Sequence, residues 1–495
     1  MPRPDWNTDI RPSRIRTGTT MAGLETMKKT ARYHSDRFRL NNQLMWPILL
    51  VLFLSPFAFG STKPAFWLLW SMLISLCGAV LFGRMVLSNA RFRIAPRNLP
   101  VLFCLFALLG AYMIVQVLPL GALSPAVTSI ADPSAVIAVD TISLAPHDTI
   151  LALTRWASYG LLFFLVLQIT SNPQRAQAFI NLIYWAIVIH AVVGLLFLVQ
   201  FGDTILGIPK WKYFGSALGG FINRNSFATF LAFGSVLGIN LMMERMTEKP
   251  SGKGDSSVLG TYLGKGGVVT IGLGWLVLVI TLVATNSRMG LFAACCGMIA
   301  SVVLTLAKKT AGTNRAGVWI LLLAIPVVVG LGMFGYGAIF LERLGSLEAS
   351  SEVRMQLYQQ VLQMIETRPL LGFGGNSFEY AYPLFHQAPV SVDLVWDKAH
   401  STYLALWAEY GLIFGSLPLL IVGIIVFQLG VAYVKTPGQD MLIRCGLCVI
   451  LIGAVHSLVD FSLEIQAVTF AFVAIVATAW ARQVELMNAG ERDRS

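Results

Sequence analysis

Runs of about 20 apolar residues recur along most of this chain, each long enough to cross a hydrocarbon core of roughly 30 Å. A soluble fold would instead require a core helix hydrophobic on all sides, repeated about a dozen times. Charged residues make up 12% of the chain, where a soluble domain carries roughly 25%. The expected fold is all-α: a polytopic helical membrane protein.

Twelve spans are expected, at 44–60, 64–87, 99–118, 151–169, 178–200, 226–243, 267–285, 289–306, 318–340, 411–434, 442–460 and 465–482. Residues 1–43 read as a basic, disordered cytoplasmic tail that runs into a signal anchor. Residues 44–340 hold the first nine spans, 341–410 a large periplasmic loop with short helices, 411–482 the last three spans, and 483–495 a cytoplasmic tail. With both termini inside, most of the 36 Lys and Arg fall on the cytoplasmic side, as the positive-inside rule requires. The net charge of +11 is therefore a topology signal. No motif with interleaved aromatics points to nucleic acid. No internal repeat of fixed period supports an inverted-repeat transporter.

The six cysteines all lie in apolar runs. Cys445 and Cys448 have redox or zinc-ligand spacing but no second pair, and read as small packing side chains. Asp393 and Asp397 lack the third ligand that a metal site needs, and read as a solvated loop.

Candidate chemistry gathers on the outer side. Arg224, Arg288 and Arg354 each sit at or near an outer membrane boundary, opposite to the general bias of basic charge. Snorkelling explains one such arginine. Three suggest a phosphate or pyrophosphate, which a guanidinium grips through two parallel bonds. In the large loop, Ser351 and Glu352 are expected to cap a helix from Val353 to Thr367. Its apolar face carries Leu357, Tyr358, Val361 and Ile365, with Arg354 on the same side. Pro369 ends it. The amides of the following Gly372-Phe373-Gly374-Gly375 loop offer an anion nest.

His400 is expected to start the helix that re-enters the membrane, with Tyr403, Leu404 and Trp407 on its face. It can accept a proton from a hydroxyl, or simply anchor a helix end. Glu409 falls on the opposite face, while Asp397 is spaced to orient His400. His456 and Asp460 stand at i and i+4, which expects a pair on one helical face.

These residues carry a resemblance. The stretches Gly220-Phe221-Ile222-Asn223-Arg224-Asn225, Ser287-Arg288-Met289-Gly290, Arg368-Pro369-Leu370-Leu371-Gly372-Phe373-Gly374, His400-Ser401-Thr402-Tyr403-Leu404 through Glu409-Tyr410-Gly411-Leu412, and His456-Ser457-Leu458-Val459-Asp460-Phe461 resemble the O-antigen ligase and O-antigen polymerase superfamily of bacterial envelope glycosyltransferases. The resemblance implies a metal-independent, inverting glycosyltransferase without cofactor, placed in the inner membrane with its active site towards the periplasm. The implied donor is a glycan on undecaprenyl pyrophosphate, and the implied acceptor a glycan or lipid. Membrane lipids and other envelope polysaccharide assembly proteins are the further partners. By position, Arg224 and Arg288 match arginines assigned to the pyrophosphate and His400 the histidine that activates the acceptor hydroxyl, while Arg354 falls where many members carry a further loop arginine and is grouped with the pyrophosphate-binding residues. Asn223, Asn225, Tyr403, Glu409, His456 and Asp460 stand as supporting residues. His400-Ser401 replaces the His-Asn of many ligases, and the polymerase alternative stays open. A lipid-linked glycan flippase would need charges along a path through the spans, and here they cluster outside. A non-catalytic assembly partner needs neither the arginines nor the histidine.

Overall fold

A computed structural model describes residues 39–88, 92–121, 126–130, 132, 134, 136–247, 265–310, 348–390, 395–436 and 440–492. Among them the chain is helical, apart from two minimal hairpins. Ten helices are long and apolar enough to cross a membrane: α1 (Arg39–Phe57), α2 (Pro64–Leu87), α3 (Pro100–Val117), α4 (Pro146–Ile169), α5 (Pro173–Val199), α6 (Arg224–Thr247), α7 (Lys265–Ala284), α8 (Arg288–Thr310), α12 (Leu417–Lys435) and α14 (Gln466–Arg492). An eleventh apolar helix, α13 (Met441–Ser457), is shorter. Between α8 and α12 lie α9 (Glu348–Thr367), the single turn α10 (Phe378–Ala381) and α11 (Thr402–Gly415). The chain is a polytopic helical membrane protein. The span expected at 318–340 and Asp393 lie outside the described residues, as does the expected tail up to residue 38.

Proline opens the first turn of α2, α3, α4, α5 and α12, where its missing N–H costs no hydrogen bond. Side-chain caps add to this. Asn172 accepts from the Arg175 amide at 3.0 Å, and Asp440 from the Ile443 amide at 3.2 Å.

Two helices form the centre. In α6 and α14, 83% and 78% of the most apolar stretch is buried. The α6 helix packs against α5, α7, α8 and α13, and α14 against α4 and α13. Enclosure by other helices lets them carry polar groups: Asn240 on α6 donates to Ser301 and accepts from Arg444, at 2.9 and 3.0 Å. Peripheral helices turn apolar side chains outward, among them Leu69, Met72 and Leu76 on α2 and Leu273, Leu276 and Ile280 on α7. Hydrocarbon is the solvent that suits such a surface.

A second apolar cluster forms a cap outside the bundle, with Leu357, Val361, Met364, Phe373, Phe385 and Ala408 at its centre. A hairpin strand, β1 (Val127–Thr128) paired with β2 (Val136–Ile137), leads into it. Arg368 donates to the Ile142 carbonyl at 3.0 Å, which fastens α9 to the segment before α4. The other hairpin, β3 (Thr204–Ile205) with β4 (Ile208–Pro209), stands between α5 and α6.

Several local expectations are corrected. The α9 helix spans Glu348–Thr367, so Ser351 and Glu352 lie within it and not ahead of it. The helix after His400 does not run into the next span. Gly411 breaks it with φ 72° and ψ 169°, and the span starts afresh at Leu417. The amides of the glycine loop are committed to protein. Phe373 and Gly374 donate to the carbonyls of Ala408 and Glu409, both at 2.9 Å. Gly375 donates to Gln116 Oε1 at 3.2 Å. The loop closes the end of α11 and offers no anion nest. All six cysteines are free thiols.

Candidate active site

Arg224 and Arg288 are the first residues of α6 and α8. Each follows its own cap. Asn223 Oδ1 accepts from the Asn225 amide at 2.7 Å, and Ser287 Oγ from the Gly290 amide at 3.2 Å. The cap of α8 is tied to the first turn of α6, since Ser287 Oγ donates to Asn225 Oδ1 at 2.8 Å. Two helix N-termini and two guanidinium groups are thereby set side by side, and both kinds of feature favour an anion.

Above them lies the loop that follows β4. Lys210 is clamped between the Asp203 carboxylate and the Ser216 carbonyl. Asn286 donates to the Gly215 carbonyl at 3.0 Å. These ties set the Tyr213 ring against the Arg224 guanidinium, 5.2 Å from it. Burial raises the Tyr213 phenol, and the Arg224 charge opposes that.

Arg354 joins the group from the cap. It sits on the buried side of α9 with Leu357, Val361 and Ile365, as the periodicity expects. Its charge acts on Arg224, Tyr213, Tyr358, His400, His456 and Asp460. Arg288 acts on Arg224 in the same way. The three arginines and the histidine singled out in the sequence thus share one electrostatic neighbourhood, although 176 positions separate Arg224 from His400.

His400 does not belong to α11. It precedes the helix in the left-handed region, φ 52°, a sparsely populated conformation that costs about 1–3 kcal/mol. The Tyr358 hydroxyl donates to its carbonyl at 2.8 Å and holds it there. Tyr403, Leu404 and Trp407 therefore share no helical face with it. Its ring packs edge-on to Phe461 and Trp396, with centroids 5.1 and 5.7 Å away. Tyr403 donates instead to the Ala454 carbonyl at 3.0 Å. Burial, with the Arg354 and Lys398 charges adding to it, pulls the His400 imidazole down to about 4. It is neutral at neutral pH and ready to accept a proton. Asp397 is exposed and acts on Tyr213.

His456 and Asp460 do not form the expected pair. The α13 helix ends at Ser457, so Asp460 lies in the turn beyond it. His456 Nδ1 meets the Thr229 hydroxyl at 3.0 Å. Asp460 Oδ1 accepts from the Phe461 amide at 2.6 Å, and the Asn225 side chain reaches the same carboxyl. Burial pushes Asp460 up to about 6, against the pull of the Phe461 amide, Arg354 and Asn225.

Among the atoms buried here without a hydrogen-bond partner are Arg224 Nε, His400 Nδ1, His456 Nε2, Ser457 Oγ and Asp460 Oδ2. Ordered water or a polar ligand can satisfy such groups. Among the described residues, no group of three or more His, Cys, Asp or Glu is placed to hold a metal. Tyr213 and Tyr358 are the site residues the sequence reading did not select. Each stands within reach of a selected arginine, but only the folded chain shows which aromatic covers the charge.

Fold and site together define a polytopic membrane protein with a cationic, histidine-containing centre between its helix bundle and its cap. Residues 273–419 match the family model described as O-antigen ligase, and the match supports the O-antigen ligase superfamily. Arg288, Arg354 and His400 fall inside the matched segment, while Arg224, His456 and Asp460 lie outside it. No curated protein matches the chain.

Proposed function

We propose that this protein transfers a glycan from an undecaprenyl-pyrophosphate donor to an acceptor hydroxyl at the periplasmic face of the inner membrane, in the manner of an O-antigen ligase. The observation that carries the reading is the electrostatic neighbourhood that Arg224, Arg288 and Arg354 share with a buried, neutral His400.

In the reaction, a ring nitrogen of His400 takes the proton of the acceptor hydroxyl. The acceptor oxygen bonds to the anomeric carbon from the face opposite the pyrophosphate, which inverts that carbon. The bond from carbon to pyrophosphate oxygen breaks, and undecaprenyl pyrophosphate leaves with the electron pair. Arginines placed in advance stabilise the charge that develops on it, often the largest contribution to catalysis. A positioned base adds about 10²–10⁴-fold. No step needs a metal. The acceptor decides between a ligase and a polymerase, which would join one lipid-linked repeat to another.

The test is transfer by purified protein from an undecaprenyl-pyrophosphate-linked glycan to a candidate acceptor. Turnover that survives EDTA supports the reading, and turnover abolished by EDTA and restored by a metal contradicts it. Orientation is tested separately. A reporter fused near residue 385 should read periplasmic and one near residue 312 cytoplasmic; both on one side would overturn the placement of the site.

A further inference from the structure

We propose that Lys398 and Glu464 form a positioning ion pair for His400, braced from the bundle by Arg155 and Glu409. The proposal rests on the reading of His400 as the base.

Lys398 Nζ meets Glu464 Oε2 at 3.1 Å, with both side chains largely buried. Lys398 lies two residues before His400, and Glu464 lies in the connection between α13 and α14. Further bonds fasten the same two segments. Ser401 donates to the Ser457 carbonyl at 3.4 Å, and Thr402 to the Asp460 carbonyl at 3.3 Å. His400 itself packs on Phe461. The ion pair is the charged end of this seam.

The brace reaches into the bundle. Arg155 on α4 donates to the Glu464 carbonyl and to the Tyr159 hydroxyl, and its guanidinium lies 4.2 Å from the Trp67 ring centre. Glu409 adds its charge to Lys398 from α11. Its carbonyl accepts from Gln116 on α3 at 2.9 Å. Burial pushes its carboxyl up to about 7, with Lys398 opposing the shift. Burial alone would lower Lys398; Glu464 and Glu409 together raise it.

A buried ion pair is a poor way to gain stability, because apolar residues of similar volume often serve as well or better. Its directional bonds are what an apolar contact cannot supply. Here they fix a segment whose next element is a histidine in a left-handed conformation. Lys398 also acts on the base through space. The groups around His400 are Arg354 and Tyr358 from α9, Asp397 and Lys398 from its own segment and Asp460 from the turn after α13, whose neighbour Phe461 packs on the ring. Lys398 and Arg354 are the two cations that disfavour the protonated ring.

The experiment uses the purified full-length protein with an undecaprenyl-pyrophosphate-linked glycan. Lys398→Met should lower kcat by about 10- to 100-fold, the scale of a misplaced reacting group, with donor affinity within about twofold of wild type. Loss of the cation also raises the His400 pKa, so the acid limb of the kcat/KM profile should move to higher pH. Lys398→Arg should restore most of both. The exchange Lys398→Glu with Glu464→Lys keeps the pair but reverses the charge beside His400, and should move the acid limb further up. It carries the same test if Lys398→Met fails to accumulate. An unmoved acid limb in these variants overturns the proposal, as does a loss of kcat matched by an equal loss of donor binding. If His400→Ala is inactive while Lys398→Met behaves as wild type, only the ion-pair proposal falls. If His400→Ala retains wild-type turnover, the underlying reading of the site falls.

Discussion

Ser287 Oγ donates to Asn225 Oδ1 at 2.8 Å, and this one bond joins the starts of two membrane helices. The residue beside each partner is an arginine, Arg224 before Asn225 and Arg288 after Ser287. Two guanidinium groups repel, so nothing in their own chemistry brings them together. The bond from the α8 cap to the first turn of α6 holds them at a common edge, where an anion would find both.

Arg288→Lys tests that edge. Lysine keeps the charge but loses the planar fork. A hydrogen bond to a charged group is worth about 1.5–3 kcal/mol, so donor affinity should fall about 10- to 100-fold at near-normal protein levels. Donor binding to the purified variant is the check. Wild-type affinity would reduce Arg288 to an interfacial charge.

The pH dependence follows from burial of His400. Its imidazole, held down to about 4, is neutral above that value and protonated below it. The acid limb of kcat/KM, which reports the free enzyme, should therefore lie near pH 4, well under the usual 6.5 of histidine. Arg354→Gln removes a cation and should move the limb upward. A wild-type limb near 6.5 would show a solvated histidine.

Much of this was legible in the sequence, and the parts that were not share a cause. Apolar run length gave the helices, because a bilayer constrains length directly. Arg354 was placed on the buried face of α9 because Leu357, Val361 and Ile365 repeat at helical spacing. The sequence expects His400 to start a helix, but its positive φ is a product of the surrounding fold, of Tyr358 and Phe461 in particular. Asp460 was paired with His456 on an assumed continuous helix, whereas α13 stops at Ser457 and Thr229 takes the histidine. The glycine loop read as an anion nest until its amides met Ala408 and Glu409 across the chain. Periodicity describes a helix but not where it ends, and long-range partners leave no local trace.

The glycines themselves make a structural prediction. Gly411 has φ 72°, and an added Cβ would stand 2.3 Å from the Leu370 carbonyl oxygen. Gly372, at φ 65°, would stand 2.5 Å from the Glu409 carbonyl oxygen. Either residue changed to Ala should destabilise the cap by at least the roughly 1–3 kcal/mol of a strained conformation. Thermal unfolding in detergent is the check, and an unshifted Tm for both would contradict the close packing of Pro369–Gly375 on the end of α11.

The central claim is that His400 moves the acceptor's proton while the arginines hold the donor. The most direct measurement is single-turnover transfer by purified His400→Ala, with donor binding recorded on the same sample. The account predicts donor affinity near wild type and transfer slowed by about 10²–10⁴-fold, the contribution of a positioned base. Transfer at the wild-type rate by that variant would contradict it.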